Sequence, residues 1–397
     1  MNMPRFVQLF FCLGSFSLVF VVFWNLDVGI NKFSFNSEHV ITLQQCSNQH
    51  QDQFESTYGT YSLETTGPAA LNKDLETKES EDAFVRSMRH ASPKVLDLQY
   101  TQYARKKLIH NLCSRSASLG FLKRATLNDI PHDQLSNLIV DDRHGIIYCY
   151  IPKVACTEWK SIMIFLSESL KVNGVPYKNH SDIPRDQIHG NSVVYLNRSH
   201  RNVMNKKIKK YKKFLFVRHP FVRLISAYRD KFEKKNDYFY NYLAVPIMKR
   251  YRKISPPASA ERAHAAGIRP TFSEFIHYIV DLPDYYSLAF QEHWRQMYYL
   301  CHPCQIEYDF VGKMETMNED AQHLLHFLKV DHIIQFPQSP SNRTEESWIN
   351  DWFTKIPFEW RRKLYEIYEL DFKLFGYSLP ENFLENASPA QSVISYT

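Results

Sequence analysis

Glycine is scarce in this chain, 11 of 397 residues, and nowhere do glycines fall into G-x-x-x-x-G-K followed by Ser or Thr. That absence argues against a Walker-type nucleotide site, whose loop needs glycine for close backbone approach to phosphate. No set of acids suited to magnesium accompanies it, so a kinase is disfavoured. Cysteine is sparse as well: seven residues, with a single C-x-x-C at Cys301 to Cys304. Without a second such pair a zinc ribbon cannot form, and a structural role is expected. No metal constellation is visible, so no metal is expected. Repeats of solenoid length are missing too.

Apolar residues, by contrast, are plentiful at 44%, and aromatics reach 15%, which excludes global disorder. Charge is nearly balanced, 48 Lys and Arg against 42 Asp and Glu, for a net +6. Clustered, that excess would suit an acidic partner such as nucleic acid, an anionic membrane or an acidic polysaccharide.

The one long apolar run lies at the N-terminus, FVQLFFCLGSFSLVFVVFW from Phe6 to Trp24, without a charge. As a helix it rises roughly 28 Å, about the thickness of a bilayer's hydrocarbon core. A cleaved signal peptide has a shorter apolar centre and small residues at its cleavage site. The reading is a signal anchor over residues 6–26, with a cytoplasmic tail at 1–5 and the remainder in the lumen. Sequons at Asn179, Asn197, Asn342 and Asn386 agree with a lumenal body. Outside the span the cysteines are Cys46, Cys113, Cys149, Cys156, Cys301 and Cys304, an even number that permits disulfides but dictates no pairing. Residues 27–95, rich in Asn, Ser, Gln, Thr and Glu without a sustained period, read as a flexible stem. Residues 96–397 read as one lumenal domain.

Within that domain three units pass from a β-branched or aromatic run into helical spacing. They are GIIYCYI into TEWKSIMIFLSESL, KFLFV into FVRLISAYRDKF, and IEYDFVGKME into NEDAQHLLHFL. Alternation of this kind predicts an α/β fold, a parallel sheet flanked by helices. Ligands of such sheets sit beyond the carboxyl ends of the strands. Two turns there carry chemistry. In PKVACTEWK, Lys153 stands beside a helix expected to open near Thr157, whose unpaired N–H groups and dipole attract anions. Thr157 would cap that helix or give its hydroxyl to a phosphate oxygen. Alone, the stretch reads better as a capped helix with a solvated lysine than as an anion site. In RHPFVRLIS, Arg218 ends a strand and Ser226 falls on the second turn of the next helix. A guanidinium and a hydroxyl there would share an anion; Arg223 and Arg229 could equally be surface residues, Arg229 the more so. Two such sites after neighbouring strands suit a nucleoside with two separated phosphate groups.

These two motifs resemble the 5′-phosphosulfate and 3′-phosphate signatures of Golgi carbohydrate sulfotransferases, the group holding the HNK-1, dermatan and chondroitin 4-O-sulfotransferases. EHWRQMYYLCHPCQIEYDFVGKMETMNEDA and WFTKIPFEWRRKLYEIYELDFKLFGY extend the likeness over roughly Leu108 to Leu384. The resemblance implies a PAPS-dependent sulfotransferase fold, P-loop-like in its anion sites, with 3′-phosphoadenosine 5′-phosphosulfate (PAPS) as donor. It implies that Pro152, Lys153, Val154, Ala155, Cys156, Thr157 and Glu158 cradle the 5′-phosphosulfate. Arg218, His219, Pro220, Phe221, Val222, Arg223, Leu224, Ile225 and Ser226 would hold the 3′-phosphate. Two positions depart from the pattern: Glu158 stands where relatives often have Asn, and His219 where they often carry an acid.

In-line sulfuryl transfer places charge on the departing oxygen, which Lys153 would stabilise, and a sugar hydroxyl calls for a general base. His189 is the expected base, with His293 and Glu292 in reserve. The implied acceptor is a chondroitin or dermatan chain, and the implied location the Golgi membrane. The run KKIKKYKK, Lys206 to Lys213, is either a solvated cationic stretch or a hold on that polyanion near the mouth of the site. No nucleic-acid partner is expected for a lumenal body.

Overall fold

The strand that ends at the first candidate turn sits second in a four-stranded sheet of order β1-β2-β5-β6. β1 covers Leu138–Asp141, β2 Ile146–Cys149, β5 Lys212–Val217 and β6 Phe310–Lys313. A separate two-stranded hairpin joins β3, Lys171–Val172, to β4, Val175–Pro176. The computed structural model describes residues 93–118, 126–190, 192–282, 291–337, 347–381 and 383–385. The expected tail, anchor and nearly all of the stem lie outside these residues, as do Cys46 and the sequons at Asn342 and Asn386. Among the described residues no helix is long and apolar enough to cross a membrane.

β2, β5 and β6 run parallel, as the alternation predicts, but β1 pairs antiparallel with β2, which corrects the expected all-parallel sheet. The reason is the short link between them. A turn ending at Gly145, with φ +66°, returns the chain at once, whereas a parallel neighbour requires a long crossover. Such a crossover does join β2 to β5, through α2 (Cys156–Ser167), α3 (Arg185–His189) and α4 (Arg201–Lys210). The strands are buried almost throughout, as continuous apolar runs covered on both faces should be.

Side-chain alternation assigns the two faces. Tyr148, Phe214 and Phe216 point to one side, where Trp159 of α2 stacks on Phe216 with centroids 4.9 Å apart and meets Phe214 edge-on at 5.1 Å. Cys149 points to the other side and is bonded to Cys301, at the end of α7, Met297–Cys301. Gly312 of β6 lies opposite Phe216, whose ring comes within 2.1 Å of where a Cβ would stand, so the sheet needs glycine there. A second disulfide, Cys113–Cys304, ties α1 (Pro93–Ser118) to the same region. The C-x-x-C cysteines therefore serve two separate long-range bridges, the structural role expected of them.

A second apolar core gathers α5 (Pro220–Tyr228), α6 (Phe272–Val280) and α9 (Phe358–Phe375) around Trp294. α6 opens with a capping box, Thr271 accepting from Glu274 N–H while the Glu274 carboxylate accepts from Thr271 N–H. α8, Met317–Phe327, follows β6. The ends of β2, β5 and β6 thus open at one edge, each feeding a turn and then a helix.

Candidate donor site

At that edge lies a cavity of about 640 Å³ whose wall includes Lys153 after β2, Arg218 after β5, and Met314 and Met317 after β6. Its volume is in the range of small-molecule and cofactor sites. The basic residues Lys153, Arg185, Arg218, Arg229, Lys231 and Lys234 outnumber the acids Glu158, Asp230 and Glu233 on its wall by six to three.

The first turn achieves without glycine a backbone shape usually reserved for it. Lys153 has φ +73° and Ala155 φ +50°, both in the left-handed region. Each such residue costs on the order of 1 kcal/mol or more, and strain of this kind concentrates at ligand sites. Ala155 is the N-cap of α2 and supplies no side-chain bond, so the first N–H groups of the helix remain available to an anion. Thr157 is inside the helix rather than its cap, which corrects one of its two expected roles. Its Oγ1 is 3.1 Å from His189 Nε2.

The second turn is bolted to the first. Arg218 Nη1 donates to the Lys153 carbonyl at 3.2 Å, and Arg223 Nε donates to the Pro152 carbonyl at 2.9 Å. Arg223 is fully buried, and its other nitrogens donate to the carbonyls of Arg295, 2.6 Å, and Glu292, 2.9 Å. It is therefore neither a surface residue nor a wall of the cavity; three carbonyls occupy it. Ser226 does reach the wall, together with Arg229, Asp230 and Glu233. Those four positions repeat at helical spacing, one face of a single rod. α5 continues past Tyr228 as a π-helical turn over Arg229–Glu233, a distortion often found at functional sites. Arg229, read from sequence as the more superficial arginine, is on the cavity with its guanidinium 4.6 Å from the Trp348 ring.

Periodicity thins the expected contact run. Pro152, Lys153, Ala155, Cys156, Thr157, Glu158, Arg218 and Ser226 line the cavity. The side chains of Val154, Phe221, Val222, Leu224 and Ile225 are buried in the apolar cores instead, and Pro220 is buried at the start of α5, because a helix shows one face to a cavity and the other to its support. His219 is also buried. As N-cap of α5 its Nδ1 accepts from Phe221 N–H, its Nε2–H donates to the Ser378 carbonyl, and its own N–H donates to Glu315. Burial pushes the His219 pKa down to about 4, so the ring stays neutral.

Electrostatics within the cavity separate the residues by task. Lys153 Nζ is 3.0 Å from Asp230, which also holds Lys231 at 3.1 Å and Lys234 at 3.7 Å. Burial lowers the Lys153 pKa and Asp230 opposes that drop. Burial alone would raise Asp230, but Lys153 and Lys231 outweigh it and hold the carboxyl well below the usual range. Burial also lowers His189, helped by Lys160, Lys231 and Arg185, leaving a neutral imidazole at neutral pH. His293 lines the cavity as well, but burial and the nearby lysines push it down to about 2, and its Nδ1 faces Gln291 Oε1 at 2.8 Å. Glu292 accepts from the Tyr150 hydroxyl at 3.1 Å and borders a different, smaller cavity. Glu158 is half-buried in the first turn of α2, where a carboxylate favours the helix dipole.

Sequence reading missed Asp230, Arg185 and Lys231. The signal was there for Asp230, four residues after Ser226, but depended on knowing that Ser226 faces the site. The lysine run is where sequence reading misplaced a feature. Lys212 and Lys213 open β5, at the end of the sheet opposite the cavity. Lys207 pairs with Asp142, and Lys212 and Lys213 with Asp309. The run is not at the mouth of the site. Among the described residues no group of His, Cys, Asp and Glu is arranged to hold a metal ion.

Residues 136–378 match the model of the Sulfotransferase family. The mouse protein named carbohydrate sulfotransferase 12 is 43% identical over 97% of this chain and 100% of its own length. Its namesake from Xenopus laevis is 48% identical, over 82% of this chain and 77% of its own. The rat carbohydrate sulfotransferase 11 is 38% identical, over 71% and 77% respectively. No solved structure matches. With a family match over more than half its length and relatives this similar, the chain belongs to the sulfotransferase family.

Proposed function

We propose that the protein is a PAPS-dependent carbohydrate sulfotransferase that sulfates the 4-hydroxyl of N-acetylgalactosamine in chondroitin. The observation that carries this reading is the meeting of two anion-suited turns, after β2 and β5, on one basic cavity. Lys153, Arg218 and Ser226 fit a donor with two separated anionic groups: two cations and a hydroxyl on adjacent turns, beside free N–H groups at the start of α2.

When bound, PAPS supplies an activated sulfuryl group whose transfer leaves new negative charge on the nucleotide oxygen. Lys153 and the amides of α2 hold that charge, electrostatic catalysis by groups already in place. Arg218 and Ser226 hold the 3′-phosphate. His189, neutral and bordering the cavity, takes the proton of the attacking hydroxyl, and Thr157 fixes its ring. His293 is too acidic as its conjugate acid to match it.

The location follows as part of the same reading: a single-pass type II protein of the Golgi membrane, with residues 6–26 as anchor and the catalytic domain lumenal. Two disulfides support an oxidising compartment. Dermatan, or N-acetylgalactosamine on N-glycans, is the nearest alternative acceptor. A glycan-binding protein without catalysis is disfavoured, because binding alone has no use for both donor turns.

The test is to incubate the protein with labelled PAPS and desulfated chondroitin, dermatan and N-acetylgalactosamine-ended glycans, then map the label by disaccharide analysis. Label at the 4-position of chondroitin is expected. A folded protein that labels none of these refutes the enzyme, and label elsewhere refutes the acceptor. Lys153→Ala and Arg218→Ala should each abolish transfer; normal activity in either removes that residue from the donor site.

A further inference from the structure

Beyond the π-helical turn the chain displays two aromatic rings that no core needs. Tyr238 is 57% exposed and Tyr242 68% exposed, and their rings lie 4.9 Å apart on the outside of the fold. Other large apolar side chains are exposed as well, Tyr100 and Val175 among them, but these two aromatics lie ring to ring, and contiguous exposed apolar surface marks binding sites. The pair is also connected to the cavity. Tyr238 meets Phe239 edge-on at 5.3 Å, and Phe239 meets His293 at 5.4 Å. His293 lines the proposed donor cavity. Lys231, on that wall, lies over the Phe239 ring at 4.8 Å. Two ring contacts therefore link Tyr238 to the wall of the cavity, within the reach of an oligosaccharide that leaves it.

We infer that Tyr238 and Tyr242 form an outlying subsite for the acceptor glycan, gripping sugar rings several residues away from the one sulfated. The inference rests on the sulfotransferase reading above. Its physics is that of amphipathic aromatics: flat apolar faces receive the C–H faces of sugars, and phenol hydroxyls bond their oxygens. Lys234, whose side chain is 75% exposed, lines the cavity four residues before Tyr238 in the chain and suits the carboxylates of an acidic chain. Lys235 is held loosely by Glu261 at 3.9 Å, and Asp237 borders the patch, so stacking rather than charge carries the affinity. Binding far from the reacting hydroxyl would favour long acceptors over short ones.

The experiment uses the full-length chain, desulfated chondroitin polymer and a tetrasaccharide acceptor, comparing wild type with Tyr238→Ala/Tyr242→Ala. The KM for polymer should rise about tenfold, the loss of roughly one good anchoring contact. The kcat, the KM for PAPS and the tetrasaccharide kinetics should stay unchanged, and Tyr238→Phe/Tyr242→Phe should retain most of the affinity. Should the double variant fail to fold, Tyr242→Ala alone is expected to shift KM in the same direction. Wild-type KM for polymer in the alanine variant overturns the subsite and leaves the enzyme intact. Calorimetric titration with polymer separates the two readings. Wild type that binds polymer more tightly than the variant yet transfers nothing keeps the subsite and sinks the transferase. Wild type that neither binds nor transfers sinks both.

Discussion

Lys153 Nζ and the Asp230 carboxylate stand 3.0 Å apart, an ion pair between the first turn and the π-helical end of α5. The lysine side chain is 18% exposed, so its charge depends on a partner. Asp230 is the group that raises its pKa most, against burial and Lys231, while Cys156 at the start of α2 contributes least.

Removing that partner should therefore be visible in pH dependence. Lys153 works only when protonated, and burial already favours the neutral amine. In Asp230→Asn the alkaline limb of kcat/KM should move to lower pH, with activity at acidic pH better preserved. Asp230→Glu should restore the wild-type limb. A profile in Asp230→Asn that superimposes on wild type would mean that Lys153 does not set the limb.

His189 predicts the opposite limb. The ring must be neutral to accept a proton, and its pKa lies below the ordinary 6.5. Activity should thus hold down through pH 6.5 and fall only at lower pH, as the imidazole protonates. His189→Gln should lose about 10² to 10⁴ in kcat, the usual worth of a general base, and with it the acidic limb. A loss confined to the KM for PAPS would assign the residue to binding instead.

Arg218 and Arg223 stand five residues apart in one motif but should fail differently. Arg223→Ala orphans three buried carbonyls and should cost about 3 kcal/mol or more of stability, read from a urea unfolding midpoint. Arg218→Ala should abolish transfer through loss of a charged donor contact, while its unfolding midpoint falls less than that of Arg223→Ala. Equal unfolding midpoints for Arg223→Ala and wild type would contradict the buried role.

Non-reducing peptide maps should link Cys113 to Cys304 and Cys149 to Cys301, leaving Cys156 as thiol. Cys156 lines the cavity but desolvation pushes its thiol pKa up, so native protein should alkylate there more slowly than the unfolded chain. Losing either bridge should cost about 2 to 5 kcal/mol. A Cys301–Cys304 linked peptide would refute the pairing.

The legible part of this protein was periodic or local. Three strand-to-helix units were readable because β-branched and aromatic runs gave way to helical spacing, and β2, β5 and β6 run parallel in order. β1 escaped because no helix follows it: a short turn returns the chain directly into β2, so the strand-to-helix pattern is missing. The continuous reading of residues 218–226 as donor contacts came apart along the helix. Alternate faces of α5 meet different surroundings, and a motif written as a string does not say which face is which. The lysine run misled for a related reason: nearness in sequence to β5 says nothing about which end of β5.

By itself the sequence determined the composition of the site, since Lys153, Arg218 and Ser226 follow strands whose carboxyl ends must open at one edge of a parallel sheet. Tertiary structure decided what each residue does there. Only packing could bury Arg223 among carbonyls, drive Lys153 and Ala155 to positive φ in place of glycine, and bring Asp230 to Lys153 from 77 residues away. Charges and strained dihedrals are settled by neighbours distant in the chain, and a linear pattern does not contain them.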